Sequence, residues 1–245
     1  MGTLVLSLLV PPVLAVYVLV IALALDLDRT YAQYALVAPV AYVLGSIPWG
    51  FLLAMVVRGV DVREYGSGRT GTSNVLRSAG GKLAVLALGL DLSKGVLAVL
   101  LAKVVADDPA VEVAAGLLAL AGHNWPVFLK FKGGRGIATG LGGLLVMEPI
   151  AGAIAVASFL VVTLPTRYLS LGSIASLFGA FLSSLALVLL DQSPATYLLY
   201  TGIGCSIILW QHRDNIQRLR RGAERKLGQP AQKIGEAAGS GPTGV

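Results

Sequence analysis

This chain of 245 residues has one cysteine, Cys205, and only two histidines, His123 and His212. A lone cysteine in an apolar run excludes a disulfide framework and a cysteine-based metal site. Two histidines with scattered carboxylates leave no metal-ligand spacing, so neither a metal nor a cofactor is expected. Charge is scarce as well: Asp, Glu, Lys and Arg make up 13% of the residues, against about a quarter in soluble domains. The glycine-rich stretches lack the spacing and the Lys-Ser/Thr ending of a phosphate-binding Walker loop. The net charge of +6 is gathered into a few loops rather than one stripe, which argues against a nucleic-acid partner.

What the chain has in abundance is apolar sequence. Hydrophobic residues are 56% of the total, and mean hydropathy is +0.78. Runs near the ~20 residues that cross a bilayer recur along its length. The fold class this predicts is all-α and polytopic, an integral membrane protein of about seven to eight transmembrane or half-spanning helices. Residues 1–30 read as an additional N-terminal helix, retained rather than cleaved. Residues 31–221 form the main membrane domain. Residues 222–245, rich in Gly, Pro, Ala and Gln, read as a disordered tail.

Basic residues set the orientation. Arg58, Arg63, Arg69, Arg77 and Lys82 border one polar excursion, and Lys130, Lys132 and Arg135 a second; both belong in the cytoplasm by the positive-inside rule. The apolar stretch 137–165 is too long for an ordinary single crossing and is interrupted by Glu148-Pro149. Crossing once, it would leave the arginine-rich tail outside. As a hairpin of two short helices bent at Glu148-Pro149, it returns Arg167 and the tail to the basic side. About eleven residues from Ile137 rise only ~16 Å. The hairpin is therefore predicted, with both termini cytoplasmic.

The most informative stretch is 122–139, GHNWPVFLKFKGGRGIAT. Glycines let backbone N–H groups approach a ligand, and N–H groups opening a helix beside fixed cations make an anion site. The excursion at 61–77, DVREYGSGRTGTSNVLR, is a second candidate, with Asn74 placed to cap a short helix that carries Arg77. Asp91 and Lys94, three apart within a span, face a common partner or cavity. Asn124 and Trp125 read as interfacial anchors. On this topology the Ser67 loop, Arg77, Lys132, Arg135, Ser173, His212 and Asn215 reach one face, where cations and donors suit a phosphorylated substrate and the adjoining helices suit an acyl chain.

Gly66-Ser-Gly with Asn74 and Arg77, then Gly122-His…Pro-Val-Phe…Lys132-Gly-Gly-x-Gly-x-Ala-Thr139, then His212-Arg-x-Asn-Ile216, closely resemble the three cytoplasmic motifs of the bacterial acyl-phosphate:glycerol-3-phosphate acyltransferases, the PlsY family. Asp91-Leu-Ser-Lys-Gly95 and Leu171-Gly-Ser-Ile174 are similar to further family segments. The pattern departs in two places: Arg69-Thr-Gly-Thr-Ser-Asn74 stands for the usual Asn-x-Gly-Ala-Thr-Asn, and Arg135 for the usual lysine, which keeps the charge but not its geometry.

The resemblance implies transfer of a fatty acyl group from acyl phosphate to the 1-hydroxyl of glycerol 3-phosphate. Lysophosphatidic acid and phosphate are released, with no acyl-CoA, acyl carrier protein or metal in the step. It implies a bacterial cell-membrane protein among membrane lipids, taken as a monomer, with its site on the cytoplasmic side. It carries catalytic roles onto His212, Ser67 and Arg135. Substrate contacts go to Gly66, Gly68, Asn74, Arg77, Lys132, Gly133, Gly134, Ser173 and Asn215. His212 either acts as base or positions the acceptor while the donor phosphate takes the proton. The competing readings are a paralogue with another phosphorylated acceptor, a lipid-phosphate binder without activity, and a transporter of phosphorylated solutes. Against the last, no inverted repeat is visible and the basic clusters keep to one face.

Overall fold

The computed structural model describes residues 29–234 and, before them, Val13, Val16, Tyr17 and Val20. The helix expected over residues 3–25 lies outside the described residues apart from those four positions. No strand occurs among the described residues, and the helices follow in order as α1 (Arg29–Ser46), α2 (Trp49–Arg58), α3 (Thr72–Ser78), α4 (Gly81–Val105) and α5 (Pro109–Asn124), then α6 (Ile137–Met147), α7 (Pro149–Thr166), α8 (Leu169–Leu189), α9 (Tyr197–Gln211) and α10 (Arg213–Arg220). Among the described residues, four stretches are long and apolar enough to cross a membrane: Thr30–Arg58, Gly81–Val105, Pro149–Thr166 and Leu169–Leu189. The first breaks at Ile47-Pro48, where proline supplies no N–H to the helix ladder.

Small residues set how closely the helices approach. A methyl added at Gly95 would strike the Thr139 carbonyl, and one at Gly142 the Leu92 carbonyl. Only glycine lets α4 and α6 lie backbone to backbone, as small residues do inside membranes. Thr139 Oγ1 then donates to the Asp91 carbonyl at 2.8 Å. Gly45 and Gly122 bring α1 and α5 together in the same way.

The predicted hairpin is present, but only its first helix is short: α6 has 11 residues, whereas α7 has 18 and is long enough to cross a membrane. α6 leaves the glycine loop, and the helix breaks at Glu148, whose φ is −136°. Glu148 meets Ser193 in the loop between α8 and α9, so the break sits at the opposite end from the glycine loop. α7 returns, and the carbonyl of Arg167 just beyond it accepts from Leu227 N–H at 2.7 Å. Arg167 and the C-terminal segment thus share one end.

The tail departs from expectation. Residues 222–234 are laid across that end rather than loose. Ala231 N–H donates to the Arg77 carbonyl (3.2 Å), Gly66 N–H to the Gln232 carbonyl (3.0 Å) and Ile234 N–H to the Glu64 carbonyl (2.8 Å). Composition suggested disorder because so few apolar groups are available for burial. Pairing of backbone with the first polar loop, and the burial of Glu224, order it instead. Residues 235–245 lie outside the described residues.

Candidate active site

A cavity of about 520 Å³ opens among the loops at this end and continues between α6, α7, α8 and α9. Its polar part is lined by Arg69, Thr72, Ser73, Arg135, Ser173 and His212, and its apolar length by residues such as Leu144, Val156, Phe159 and Leu177. The part of α9 that lines it, from Tyr200 to His212, rises about 18 Å. One space therefore offers a cationic head and a long apolar body.

The glycine loop is built on the end of α5. Gly133 N–H donates to the Asn124 carbonyl at 3.2 Å and Gly134 N–H to the His123 carbonyl at 3.1 Å. These two amides were expected to hold substrate, but they hold the loop. The amides of Arg135, Gly136 and Ile137 have no backbone acceptor among the described residues. They open α6 and carry its positive dipole end. Gly136 has φ +88°, a conformation that L side chains rarely adopt. Lys132 is exposed and does not line the cavity; of the two sequence-predicted cations here, only Arg135 does. Asn124 is 1% exposed, not an interfacial anchor, and both its amide atoms are unpaired beside Gly136.

The first polar loop is closed by Asn74. Its Nδ2 donates to the carbonyls of Val62 (2.6 Å), Tyr65 (3.1 Å) and Arg69 (2.8 Å), and its Oδ1 accepts from Ser67 N–H at 3.2 Å. Expected to cap α3 and bind substrate, Asn74 lies inside that helix, with Gly71 at the cap, and its groups are taken up by the loop itself. Gly66 and Gly68 sit at positive φ, +57° and +66°, as the turns require. Ser67 Oγ is buried without a partner, yet Ser67 is not part of the cavity wall. Neither is Arg77, which donates to the Arg225 carbonyl at 3.1 Å and keeps a buried, unpaired Nε. Ser173 does line the cavity, though its hydroxyl donates to its own helix at the Leu169 carbonyl.

His212 follows α9. Nδ1 faces the Ile208 carbonyl at 2.8 Å, and since a carbonyl only accepts, Nδ1 bears the proton and Nε2 is a free acceptor. Burial, then the charge of Arg135, pushes its pKa down to about 4, so it is neutral at physiological pH. Asn215 donates to Glu224 Oε1 at 2.7 Å. That carboxylate also accepts from Ser170 Oγ (2.9 Å) and Arg218 Nε (2.7 Å). Sequence reasoning missed Glu224 because it lies in a stretch read as a loose tail.

Arg69 ties the loops together. Its Nη1 donates to Gln211 Oε1 at 2.7 Å and to the Gly134 carbonyl at 3.4 Å, while Nη2 lies 3.9 Å from Asp214. One side chain thus spans the first loop, the glycine loop and the start of α10, with its guanidinium on the cavity wall. Arg69→Asn is expected to weaken binding of inorganic phosphate about tenfold, near the worth of one charge-assisted contact. Calorimetry on the purified protein checks this, and an unchanged affinity would confine Arg69 to bridging the loops.

Beneath the glycine loop lies a buried charged cluster whose partners the sequence did not identify. Lys94 Nζ is 2.8 Å from Asp91 Oδ1, donates to the Gly45 carbonyl at 3.2 Å, and meets His123 Nδ1 at 3.2 Å. The pair expected on one face of a span does neutralise itself, and it also reaches α1 and α5.

A protein-family model described as glycerol-3-phosphate acyltransferase matches residues 35–222. Glycerol-3-phosphate acyltransferase 3 of Dehalococcoides mccartyi (strain CBDB1) is 42% identical over 213 residues, covering 82% of this chain and 99% of that protein. The glycerol-3-phosphate acyltransferase of Rubrobacter xylanophilus is 46% identical over 187 residues, covering 76% and 92%. The crystal structure of PlsY (YgiH), an integral membrane glycerol 3-phosphate acyltransferase, in its glycerol 3-phosphate form has a TM-score of 0.74 and 36% identity, covering 80% of this chain and 96% of that one. Its lysophosphatidic acid form has a TM-score of 0.72 at the same identity.

Proposed function

The chain belongs to the glycerol-3-phosphate acyltransferase family, and from that premise we propose that it transfers a fatty acyl group from acyl phosphate to the 1-hydroxyl of glycerol 3-phosphate at a bacterial cell membrane. It is an integral membrane acyltransferase. The observation that carries the donor assignment is the single cavity in which Arg69 and Arg135 stand at one end of a long apolar body. An acyl phosphate is that shape: a charged head on an apolar chain. The cytoplasmic orientation rests on the basic loops around the site and the carboxylates Asp107, Asp108, Glu112 and Glu148 toward the other end.

In this reading the acyl chain lies between α6, α7, α8 and α9, and the donor phosphate meets Arg135 and the amides that open α6. The acceptor hydroxyl oxygen attacks the acyl carbonyl carbon, forming the ester C–O bond. The bond from that carbon to the phosphate oxygen breaks. His212 Nε2 accepts a hydrogen bond from the attacking hydroxyl and aims its lone pair. Burial and the charge of Arg135 hold this imidazole's pKa down to about 4, which makes it a weaker resting place for the proton than the leaving phosphate. The proton therefore ends on phosphate. Since the donor is already activated, orientation and charge stabilisation supply most of the rate. Asn215 and Ser170, gathered by Glu224, hold the segment after His212 in register. Ser67 and Arg77 stand outside the cavity wall, with Ser67 Oγ and Arg77 Nε buried and without partners among the described residues.

Phosphate release by the purified protein with palmitoyl phosphate tests this, with and without glycerol 3-phosphate. Release is expected to need the acceptor, and His212→Ala to lower it by about 10²-fold or more. Release independent of acceptor, or acyl transfer from palmitoyl-CoA alone, would overturn the assignment.

A further inference from the structure

The partners of the two histidines give them opposite tautomers. His212 keeps its proton on Nδ1, as derived above. At His123 the same atom faces an ammonium: Nδ1 is 3.2 Å from Lys94 Nζ, while Asp91 Oδ1, ion-paired with Lys94 at 2.8 Å, lies farther off at 3.6 Å, beyond a hydrogen bond. An ammonium only donates, so Nδ1 is the acceptor and the ring proton of the neutral imidazole sits on Nε2. Nε2 lies against Gly134, close to where a side chain there would begin. It has no hydrogen-bond partner among the described residues. The ring is 6% exposed, and it lines the same cavity as Arg135 and Gly136. An N–H without a protein acceptor at a cavity wall is open to a ligand acceptor. The same cavity is lined by Arg135, a cation, and the amides of Arg135, Gly136 and Ile137 open α6 without a backbone acceptor among the described residues, so the ligand atom this end suits is anionic.

We propose that His123 is a further substrate-contacting residue, whose Nε2–H donates to a phosphate oxygen held at the start of α6. Lys94 and Asp91 are the positioning residues that keep the proton on that nitrogen. The inference deepens the acyl-transfer reading and rests on it for the identity of the phosphate. It gives the chain one histidine that accepts from the acceptor hydroxyl and another that donates to phosphate. Their roles do not interchange, because one Nδ1 faces a carbonyl and the other an ammonium.

With only two histidines in the chain, ring ¹⁵N NMR of histidine-labelled full-length protein in nanodiscs reads both tautomers, and a His212→Asn sample assigns them. His123 is expected to be protonated on Nε2, and that resonance to move on addition of inorganic phosphate. Kinetics supply the second arm. A glutamine amide reaches the place of Nε2, an asparagine amide only that of Nδ1. His123→Gln is therefore expected to keep KM within about threefold, and His123→Asn to raise it about tenfold or more at equal Tm. Because Lys94→Met alone leaves Asp91 buried and unpaired, the neutral double variant Asp91→Asn/Lys94→Met is used. It is expected to release the tautomer preference and raise KM. A proton on Nδ1, a phosphate-insensitive Nε2, or equal KM for the glutamine and asparagine variants would overturn the proposal. Absence of acceptor-dependent release from the unsubstituted protein would instead fail the functional reading, whatever the histidine spectra show.

Discussion

Arg135→Ala is expected to lower kcat/KM by about a thousandfold while leaving the protein as stable as before, or slightly more so. Arg135 is a cation on the cavity wall with a buried, unpaired Nε and no ion pair among the described residues. Burial first, then the like charges of Arg69 and Arg218, holds its pKa down to about 10. It remains charged at neutral pH, in a setting that disfavours the charge until an anion arrives. A group arranged in that way stabilises charge that develops on substrate, and losing one such donor costs about 10²–10³ in rate. Deleting it also removes a repulsion from the folded protein, so Tm holds or rises. Arg135→Lys keeps the charge but not the planar fork and is expected to recover only part of the activity. Steady-state phosphate release with a thermal melt of each variant decides it. Activity within about tenfold of the unsubstituted protein, or a large fall in Tm, would assign Arg135 to structure instead.

Glu224→Ala is expected to have the largest effect on the fold, about 3 kcal/mol, with loss of activity following from it. Glu224 is buried, and one carboxylate gathers Ser170 of α8, Asn215 of α10 and Arg218. Removing it leaves those donors facing one another in a partly dry setting, where the loss of a paired charge costs several kcal/mol; the partial exposure of Arg218 reduces the figure. The pH dependence has a definite sign. Burial raises the Glu224 pKa, but the hydrogen bonds from Asn215, Arg218 and Ser170 outweigh burial and hold it below the usual value. A depressed carboxylate stabilises the fold above its unfolded pKa of about 4.3, and that stability is lost as pH falls through the lower folded value. Glu224→Gln should therefore flatten the acid limb of stability below about pH 4, a region scanned by detergent-phase melts. An identical acid limb in both proteins would place the acid sensitivity elsewhere.

Part of the candidate site was legible because membrane proteins confine polar residues to places where they act. Arg135, Ser173 and His212 stood out against an apolar background, and all three line the cavity. Asn74, Gly133 and Gly134 were legible as motif residues but not in their roles. A motif records that a residue type is required, and does not say whether its hydrogen-bonding groups serve the loop or the ligand. Lys132 and Arg135 are three apart, yet one is exposed and the other lines the cavity, a difference set by where α5 ends.

The sequence by itself determined the solvent in which this chain folds, the helices, the hairpin at Glu148 and the end to which the charges go. Hydropathy, helix breakers and the sign of the loops are local properties, and the bilayer acts on them directly. Only the tertiary structure decided which donors face the cavity, how Glu224 gathers its partners and why the two histidines differ. Those depend on atoms brought together from α1, α4, α5, α8, α9 and α10. In such a place a single carbonyl or ammonium at about 3 Å decides where a proton resides.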